Sequence, residues 1–511
     1  MQASINRRIT WRALVLSDLG LLVLLALAKL ALHLATNGQY GFHRDELGFL
    51  DDARFLAWGY VSYPPLTPFF ARVALVFFGP SLVGLRFFAA LGQSIVLVLV
   101  GLIARDLGGG RRAQIVAALA VAIAPMSLVL SSLYTYSGFD YLWWVLVAFL
   151  AVRLLKTNDG RYWLGLGVVI GVGLLTKYTM AFCVAGLMAG VLLTKARRYV
   201  ASPWLWAGAS ATLLIFLPNL IWQVQHDFIS LKFLSSIHAR DIGLGRTDNF
   251  LTQQLYQNNN VFALPLWIAG LVFTLFMPGG QRYRALGWMW VVPFAILIAT
   301  EGRSYYLAAA YPMLLGAGAA AGERWANTLT AARARLVRSV AWSGLAISGI
   351  ISSMVSLPLF PINSPSWKYA SNIHDLWVEQ VGWHELTAEV ARIYDALPAQ
   401  DKAHAGILAG NYGEAGALDL YGIAYGLPPV FSPVNSYWLR GYPNPPPQVV
   451  IVVGWNKSDV EHAAATCELA GHNGNPYGVV NEESRDHPDI FVCRNVHVAW
   501  PEFWKAIQYF G

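Results

Sequence analysis

The chain has 511 residues, of which 56% are hydrophobic and only 13% are charged, and its mean hydropathy is +0.46. Soluble globular proteins do not have this composition, so that class is excluded. The formal net charge of +7 would suggest a nucleic-acid partner in a soluble protein. Here most basic residues lie in short segments between apolar runs, which is the pattern of membrane orientation, and we predict no nucleic-acid partner.

Apolar runs of roughly membrane-spanning length recur through residues 1–357. The basic N-terminal segment leads into a long run without a small-residue cleavage site, so we interpret it as a retained span, not a signal peptide. The fifth and sixth runs are divided only at Thr176-Lys177-Tyr178, and these two could form a hairpin that does not cross fully. The eleven predicted spans lie at 13–35, 86–104, 113–133, 139–155, 162–175, 178–194, 203–222, 259–277, 284–300, 305–321 and 337–357.

The distribution of basic residues predicts the orientation. Eighteen Lys and Arg residues lie in the short segments on the side of the N-terminus, whereas the short opposite loops hold only Lys177 and Arg303. Loops rich in Lys and Arg stay in the cytoplasm. We therefore predict a multi-pass protein of a bacterial inner (plasma) membrane, with a cytoplasmic N-terminus and a periplasmic C-terminus. The longer loops 36–85 and 223–258 then also face outward.

The composition changes at residue 358, where polar residues and turn formers return. Alternating strand and helix patterns predict a small α/β domain over 358–511, following a membrane module over 1–357. At about 150 residues, such a domain can bury its own core. The predicted strands are AGILAG, QVVIVVG and DIFVCR, and the predicted helices are EAGALDLYGIAYG, SDVEHAAATCELAG and PEFWKAIQYF.

The first outward loop, 36–85, concentrates charged residues in the stretch FHRDELGFLDDARFLAWGYVSYPPLTP. If this stretch is a helix, Asp45 and Asp52 share a face because they are seven residues apart. The side that could rest against the membrane carries Leu47, Leu50 and Phe55. The Pro64-Pro65 pair then ends the helix. A carboxylate cluster at a membrane surface suits chemistry on a lipid-linked substrate.

Further polar residues fall at the outer ends of the spans, namely Tyr136, Asp140, Lys177, His226, Arg303, Tyr305 and Tyr306. Each of them alone is explained by interfacial anchoring or snorkelling, which we prefer for an isolated Lys177 or Tyr306. Ionisable groups at membrane depth are costly, however, and tend to be functional. Because all of them fall on the same outer face, we predict a shared site.

The residue types suggest the chemistry of that site. A carboxylate can act as general base for a hydroxyl group or hold a divalent metal. Lys177 and Arg303 could neutralise the charge that grows on a phosphate leaving group. A phosphate-linked sugar on a long isoprenoid fits this arrangement, because the apolar chain stays in lipid while the head enters the pocket.

The chain has three cysteines. Cys183 lies in a predicted span, where inert packing is its expected role. Cys467 and Cys493 both fall in the outward domain, the compartment in which disulfides persist. Two unpaired buried thiols are the alternative, and we favour a Cys467–Cys493 bridge.

Several stretches resemble one protein family. RDELGFLDDARFLAWGYVSYPPLTPFF between the first two spans resembles the first-loop signature of bacterial glycosyltransferase family 39. This family belongs to the GT-C superfamily, with the protein O-mannosyltransferases and the lipid A aminoarabinose transferases. The further similar stretches are GFD, GLLTKYT, LPNLIWQVQHDF, SYYLAAAYPMLL, NYGEAGALDLYG and FVCR. The resemblance covers nearly the whole chain and implies an α-helical polytopic GT-C fold.

The resemblance also implies an inverting sugar transfer from a polyprenyl-phosphate donor. Asp45 matches the catalytic acidic position of the family, and Asp140 matches a second one. Glu46 and Asp140 are expected to orient groups or bind a divalent metal cation, the candidate cofactor. The donor phosphate is expected to contact Lys177, Arg303, Tyr305 and Tyr306. The rest of the pocket is expected to include Arg44, Tyr63, Tyr136 and His226, with Tyr63 standing where related loops more often carry His or Gln.

We therefore predict an integral membrane glycosyltransferase that acts on the periplasmic side, with a polyprenyl-phosphate-linked sugar as donor. A lipid, a glycan and a protein stay open as the acceptor. The main alternative is a transporter or flippase of lipid-linked sugars, but transporters place polar sites near the bilayer midplane in repeated halves. A third interpretation is a non-catalytic export or scaffold protein that works through its outward domain.

Overall fold

The computed structural model describes residues 17–511, so the start of the first predicted span and the basic residues before it lie outside the described part. Five of the described helices are long and apolar enough to cross a membrane, and the number rises to eight if each of three bent helix pairs is one span. The five are Asp18–Thr36, Leu82–Asp106, Tyr136–Thr157, Pro203–Gln225 and Ala331–Ser356.

The membrane module consists of α1 (Asp18–Thr36), α2 (Arg44–Asp52), α3 (Leu66–Phe78), α4 (Leu82–Asp106), α5 (Arg111–Ala122), α6 (Pro125–Ser132), α7 (Tyr136–Thr157), α8 (Tyr162–Leu174), α9 (Met180–Leu192), α10 (Pro203–Gln225), α11 (Ile229–Gly243), α12 (Phe250–Tyr256), α13 (Leu264–Leu275), α14 (Arg284–Ala299), α15 (Tyr311–Thr328) and α16 (Ala331–Ser356). All eleven predicted spans fall on helices of this set, but the count of eleven is only approximate because several helices are short or broken. Between α5 and α6, for example, the chain bends by 61°, because Pro125 has no N–H to continue a helix and starts a new one.

Glycine residues bring the membrane helices together. A Cβ atom at Gly167 of α8 would overlap the carbonyl oxygen of Gly208 of α10. In the same way, Cβ atoms at Gly270 of α13 and Gly318 of α15 would overlap backbone of the facing helix. Small residues at crossings are the usual device of membrane helices, since lipid provides no hydrophobic force between them. This packing holds the loops at the outer ends in fixed relative positions.

The tail contains α17 (Pro365–Ile373), α18 (Trp383–Ala396), α19 (Ala399–Lys402), β1 (Ala405–Ala409), α20 (Tyr412–Tyr421), β2 (Val430–Phe431), α21 (Asn435–Arg440), β3 (Val449–Val453), α22 (Lys457–Val460), β4 (Ala464–His472), α23 (Glu482–Asp486), β5 (Asp489–Val496) and α24 (Trp500–Ala506). Its strands form one sheet in the order β2-β1-β3-β5-β4. The strands β2, β1 and β3 are parallel, whereas β5 runs antiparallel to both β3 and β4. The predicted strands over AGILAG, QVVIVVG and DIFVCR are therefore present.

The helix predicted for SDVEHAAATCELAG is wrong. Only Lys457–Val460 is α-helical there, Glu461–Ala463 is a short 3-10 helix, and Ala464–His472 forms β4, which pairs with β5. Tertiary pairing overrides the helix propensity of the Ala and Glu residues in this stretch. Cys467 lies opposite Cys493 in this pair of strands, and the two sulfurs are joined in a disulfide. Cys183 is buried and free.

Part of the hydrophobic core of the tail is shared with the first loop, while another part consists of tail residues alone. One hydrophobic cluster contains Leu47 and Leu50 of α2 together with Ile407 of β1 and Ile451 of β3. The prediction that Leu47 and Leu50 rest against the membrane is therefore wrong, because both are buried beneath the tail. Phe55, which is 51% exposed, lies under the Arg440 guanidinium of the tail, 4.6 Å from it.

Glycines make this contact between α2 and α20 close. A Cβ atom at Gly416 would lie 2.8 Å from the Leu47 carbonyl, and one at Gly413 would lie 2.7 Å from the Arg44 Cβ. The helix also ends earlier than predicted, at Asp52, and the residue that precedes α3 is Pro65. The first loop is thus held between the membrane helices and the tail.

Candidate active site

A cavity of about 420 Å³ opens where the first loop, the second outward loop, the span ends and the tail meet. Eight of the residues predicted for the site line it, namely Arg44, Asp45, Tyr63, Tyr136, Lys177, Arg303, Tyr305 and Tyr306. Segments far apart in the sequence therefore converge on one space. Glu46, Asp140 and His226 do not line this cavity.

The start of α2 directs Asp45 into the cavity. The Nδ1 atom of the N-cap residue His43 accepts a hydrogen bond from the backbone N–H of Asp45 at 3.2 Å. Burial lowers the pKa of His43, so its ring is neutral and Nδ1 keeps the lone pair that this bond needs. The carboxylate of Asp45 is 37% exposed, and its Oδ1 atom accepts from the Tyr412 hydroxyl at 2.7 Å. Among the described residues, Oδ2 accepts no hydrogen bond, and it lies 3.9 Å from the His43 Nδ1 atom.

Glu46 is a structural residue, in contrast to its predicted role in orienting substrate or binding a metal. Its carboxylate and the Arg86 side chain are both fully buried. Arg86 donates from Nε to Oε1 at 2.8 Å and from a terminal nitrogen to Oε2 at 2.7 Å. The backbone N–H groups of His43 and Tyr134 supply two more bonds, at 2.9 and 2.8 Å. No capacity remains for a ligand, and the pair joins α2 to α4.

A tyrosine cage surrounds Lys177 on the far side of the cavity. Its Nζ atom lies 4.7 Å from the ring centre of Tyr136, 4.9 Å from that of Tyr305 and 4.5 Å from that of Tyr306. It also donates to the hydroxyl of Ser137 at 2.9 Å. Cation–π contacts stabilise an ammonium group while leaving part of it open to an anion. Lys177 is therefore a fixed positive charge at the cavity wall.

Next to it lies an arginine cluster that the sequence did not predict as a unit. Arg303 and Arg246 both approach the buried carboxylate of Asp241, at 3.6 Å each. Arg240 also lines the cavity, and its buried Nε has no partner among the described residues. Arg240, Asp241 and Arg246 come from α11 and the turn after it, in the second outward loop. No spacing pattern distinguishes them, so only the folded loop brings them together.

Asp140 and His226 lie outside the cavity. The buried carboxylate of Asp140 accepts from the Thr179 hydroxyl at 2.7 Å and interacts electrostatically with Lys177. It is therefore a supporting charge behind the cage. His226 stacks on Trp222 with 4.0 Å between ring centres, and its Nδ1 atom is 2.8 Å from the Trp222 carbonyl oxygen. His226 is the C-cap residue of α10.

The two residues predicted to hold a metal have protein partners in this structure. Glu46 is bonded to Arg86, and Asp140 is bonded to Thr179. In the part of the chain that the structure describes, no three His, Cys, Asp or Glu side chains converge as ligands.

A second acidic pair, Asp51 and Asp52, closes the other end of α2. The Arg440 guanidinium of the tail donates to both carboxylates. The Tyr63 hydroxyl donates to Asp52 at 2.6 Å, and the Tyr63 ring packs 4.8 Å from that of Phe49. Burial raises the pKa of Tyr63 well above 10, so it stays a donor. Tyr63 therefore shapes the wall of the cavity.

Residues 62–222 match the family described as dolichyl-phosphate-mannose-protein mannosyltransferase. The lipid A galacturonosyltransferase RgtD of Rhizobium johnstonii is 27% identical over 208 residues, which are 38% of this chain and 43% of the relative. The match thus spans less than half of that relative's length.

The fold is similar to solved structures over nearly the whole chain. ArnT from Cupriavidus metallidurans bound to undecaprenyl phosphate aligns with a TM-score of 0.60 and 15% identity, covering 94% of this chain and 99% of that one. An oligosaccharyltransferase from Archaeoglobus fulgidus aligns with a TM-score of 0.54 and 13% identity, covering 88% and 68%. The predicted GT-C fold and the resemblance to GT-C glycosyltransferases are confirmed, and the chain is a multi-pass membrane protein.

Proposed function

We propose that this chain, which has the GT-C glycosyltransferase fold, transfers a sugar from a polyprenyl-phosphate donor to an acceptor hydroxyl group. The observation that carries the proposal is the division of one cavity into two chemical halves. Asp45 presents an open carboxylate oxygen on one side. Lys177, Arg240 and Arg303 supply positive charge on the other. The carboxylate can act as the base for the acceptor hydroxyl, and the positive charges can stabilise the departing phosphate.

The two halves are close enough to act on one substrate. Both line the same cavity as Tyr136, which interacts electrostatically with Asp45 and with Arg303. The apolar side chains of Phe182, Phe233 and Leu234 also line the cavity and would contact the isoprenoid where it leaves toward the lipid. ArnT, whose fold this chain shares, was solved with undecaprenyl phosphate, which supports a lipid monophosphate as the carrier.

In the proposed reaction, the Oδ2 atom of Asp45 takes the proton of the acceptor hydroxyl. The acceptor oxygen attacks the anomeric carbon from the side opposite the phosphate, so the configuration inverts. The bond between the anomeric carbon and the phosphate oxygen breaks, and the electron pair leaves with the lipid phosphate toward Lys177 and Arg303. Holding donor and acceptor together is worth about 7–11 kcal/mol of the barrier.

The function is tested by turnover. Purified protein in lipid nanodiscs is mixed with a radiolabelled polyprenyl-phosphate sugar and a hydroxyl acceptor, and the transfer of label out of the polyprenyl fraction is measured. We expect transfer with release of the free lipid phosphate. Movement of the intact labelled lipid across the bilayer without cleavage would favour a flippase instead.

The positively charged residues Lys177 and Arg303 of the cavity give a first prediction. Arg303→Ala should weaken donor binding by about tenfold or more, since a hydrogen bond between charged groups is worth about 1.5–3 kcal/mol. Lys177→Ala should act in the same direction. Arg303→Lys should recover only part of the affinity, because Lys cannot make a planar bidentate contact. The measurement is the dissociation constant of the undecaprenyl-phosphate sugar.

Lys232→Ala is the matched control, because Lys232 is an exposed cation of α11 that does not line the cavity. Its donor affinity should equal that of the wild type. If Lys177→Ala and Arg303→Ala also bind the donor like the wild type, both residues are interfacial anchors and the phosphate binds elsewhere.

The orientation is part of the proposal, with the cavity and the tail in the periplasm and the N-terminus in the cytoplasm. The support is the bias of eighteen basic residues against two in the short loops. A reporter enzyme that is active only in the periplasm should therefore be active when fused after Gly511. A silent reporter on a well-expressed fusion would contradict the orientation.

A further inference from the structure

Tyr412 of the tail makes a direct contact with the base proposed above. It is the first residue of α20, and its hydroxyl donates to Oδ1 of Asp45 at 2.7 Å. The two residues are 367 positions apart in the sequence. Tyr412 also lines the cavity. The tail therefore reaches the reactive carboxylate itself.

The position of the tyrosine ring is determined by the packing around it. A Cβ atom at Gly48 would lie 3.0 Å from the ring, so the ring rests on the bare backbone of α2. The start of α20 is fixed by a capping box in which Asn411 accepts from the Glu414 backbone N–H at 2.9 Å and the Glu414 carboxylate accepts from that of Asn411 at 3.1 Å. The hydroxyl thus has little freedom to turn away from Asp45.

We propose that Tyr412 is a positioning residue for the reaction, which holds the Asp45 carboxylate so that Oδ2 faces the acceptor hydroxyl. The inference rests on the proposed function. By occupying Oδ1, the phenol leaves one oxygen as the proton acceptor and selects one orientation of the carboxylate. A hydrogen bond from a phenol to the charged form of a carboxylic acid stabilises that form relative to the protonated one.

The other groups that face Asp45 do not replace this contact. His43 of the same loop is neutral because burial lowers its pKa. Arg44 is turned toward the tail, where it bonds Glu482 at 2.5 Å. Tyr136 of α7 interacts with Asp45 electrostatically without a hydrogen bond among the described contacts. Burial raises the pKa of Tyr412 well above 10, so its hydroxyl remains a donor over the working range of pH.

The test is Tyr412→Phe, which removes one oxygen atom. We expect kcat to fall about tenfold with little change in the KM for the donor, because the donor binds at the opposite wall. The acidic limb of the pH–rate profile should move to higher pH, since the carboxylate loses a bond that favours its charged form. A purely structural tyrosine would change the amount of folded protein without moving this limb.

Further variants make the test decisive. In an Asp45→Asn background, Tyr412→Phe should add no further loss of rate, because residues that act through one another are not additive. Tyr442→Phe is the control, since its ring packs on Trp500 and Trp504 on the other face of the sheet, and its rate should be unchanged. If Tyr412→Phe folds poorly, Tyr412→His, which retains a ring N–H donor, should still shift the limb less than a variant without a donor such as Tyr412→Leu.

A wild-type rate and an unshifted acidic limb in Tyr412→Phe would overturn the inference, as would full additivity with Asp45→Asn. Either result leaves the proposed function standing, because the wild type still transfers sugar. A wild type that transfers no sugar from any polyprenyl-phosphate donor would remove the proposed function first, and this inference with it.

Discussion

Asp45→Asn is expected to lower the rate of sugar transfer at least about a hundredfold, the lower end of general-base contributions. Asn has nearly the size of Asp and can still accept from Tyr412 through its carbonyl oxygen, but it cannot take a proton from the acceptor hydroxyl. The substitution therefore separates the chemical role of the carboxylate from its role in packing. Transfer from a radiolabelled polyprenyl-phosphate sugar measures the rate, and donor affinity and thermal stability should change little.

Asp52→Asn is the matched control for this prediction. Asp52 lies on the same helix and also lines the cavity, but Arg440 and Tyr63 already bind its two oxygens. Its replacement should lower the rate much less than that of Asp45. If Asp45→Asn transfers sugar at the wild-type rate, the base lies elsewhere and Asp140 becomes the next candidate.

Arg86→Met is expected to destabilise the folded protein by about 3–5 kcal/mol, the cost of leaving one partner of a buried ion pair alone. The substitution strands the Glu46 carboxylate, which is fully buried beneath the tail. It also frees the carbonyl oxygens of Asn37 and Gly41, which accept from Arg86 at 2.8 and 3.1 Å. The measurement is the temperature at which half of the detergent-solubilised protein loses its fold.

The double variant Glu46→Leu with Arg86→Met removes both charges and should recover much of this loss. Arg105→Met serves as the control on the same helix, because Arg105 is largely exposed and makes only a 3.8 Å contact with Asp106. The portion of Glu46→Leu/Arg86→Met that folds should still transfer sugar. A folded but inactive double variant would return Glu46 to the catalytic set.

The sequence pointed to the residues that line this cavity because charged side chains are rare in an apolar chain. Asp45, Lys177 and Arg303 are expensive at the ends of membrane spans, and the structure places all three on one cavity. The strands of the tail were predictable for a similar reason, since QVVIVVG is a run of branched residues between loops. Both signals are local, and each can be seen without knowing which segments touch.

The assignment of Glu46 does not agree with its position in the structure. Successive residues of an α-helix point about 100° apart, since there are 3.6 residues per turn, so adjacent residues can have different surroundings. Asp45 lines the cavity, whereas Glu46 turns inward to Arg86. Adjacency in the sequence suggested a shared role that the structure does not show.

The contributions of the second outward loop and of the tail could not be read from the sequence. Arg240 and Arg246 belong to the cavity only because α11 folds across its mouth. Tyr412 reaches Asp45 only because α20 packs on α2. Such contacts join segments far apart in the chain, and the residue pattern within either segment does not predict them.

Because of the glycine contacts between α2 and α20, the first loop and the tail have to change together in evolution. At Gly48, Gly413 and Gly416 even one added methyl group would collide with the partner segment, so changes on one side have to be matched on the other. A chimera that takes only its tail from a related enzyme would bring an α20 surface fitted to a different loop. Exchange of these segments between related proteins therefore has to move residues 36–85 together with the tail, although the membrane helices separate them in the sequence.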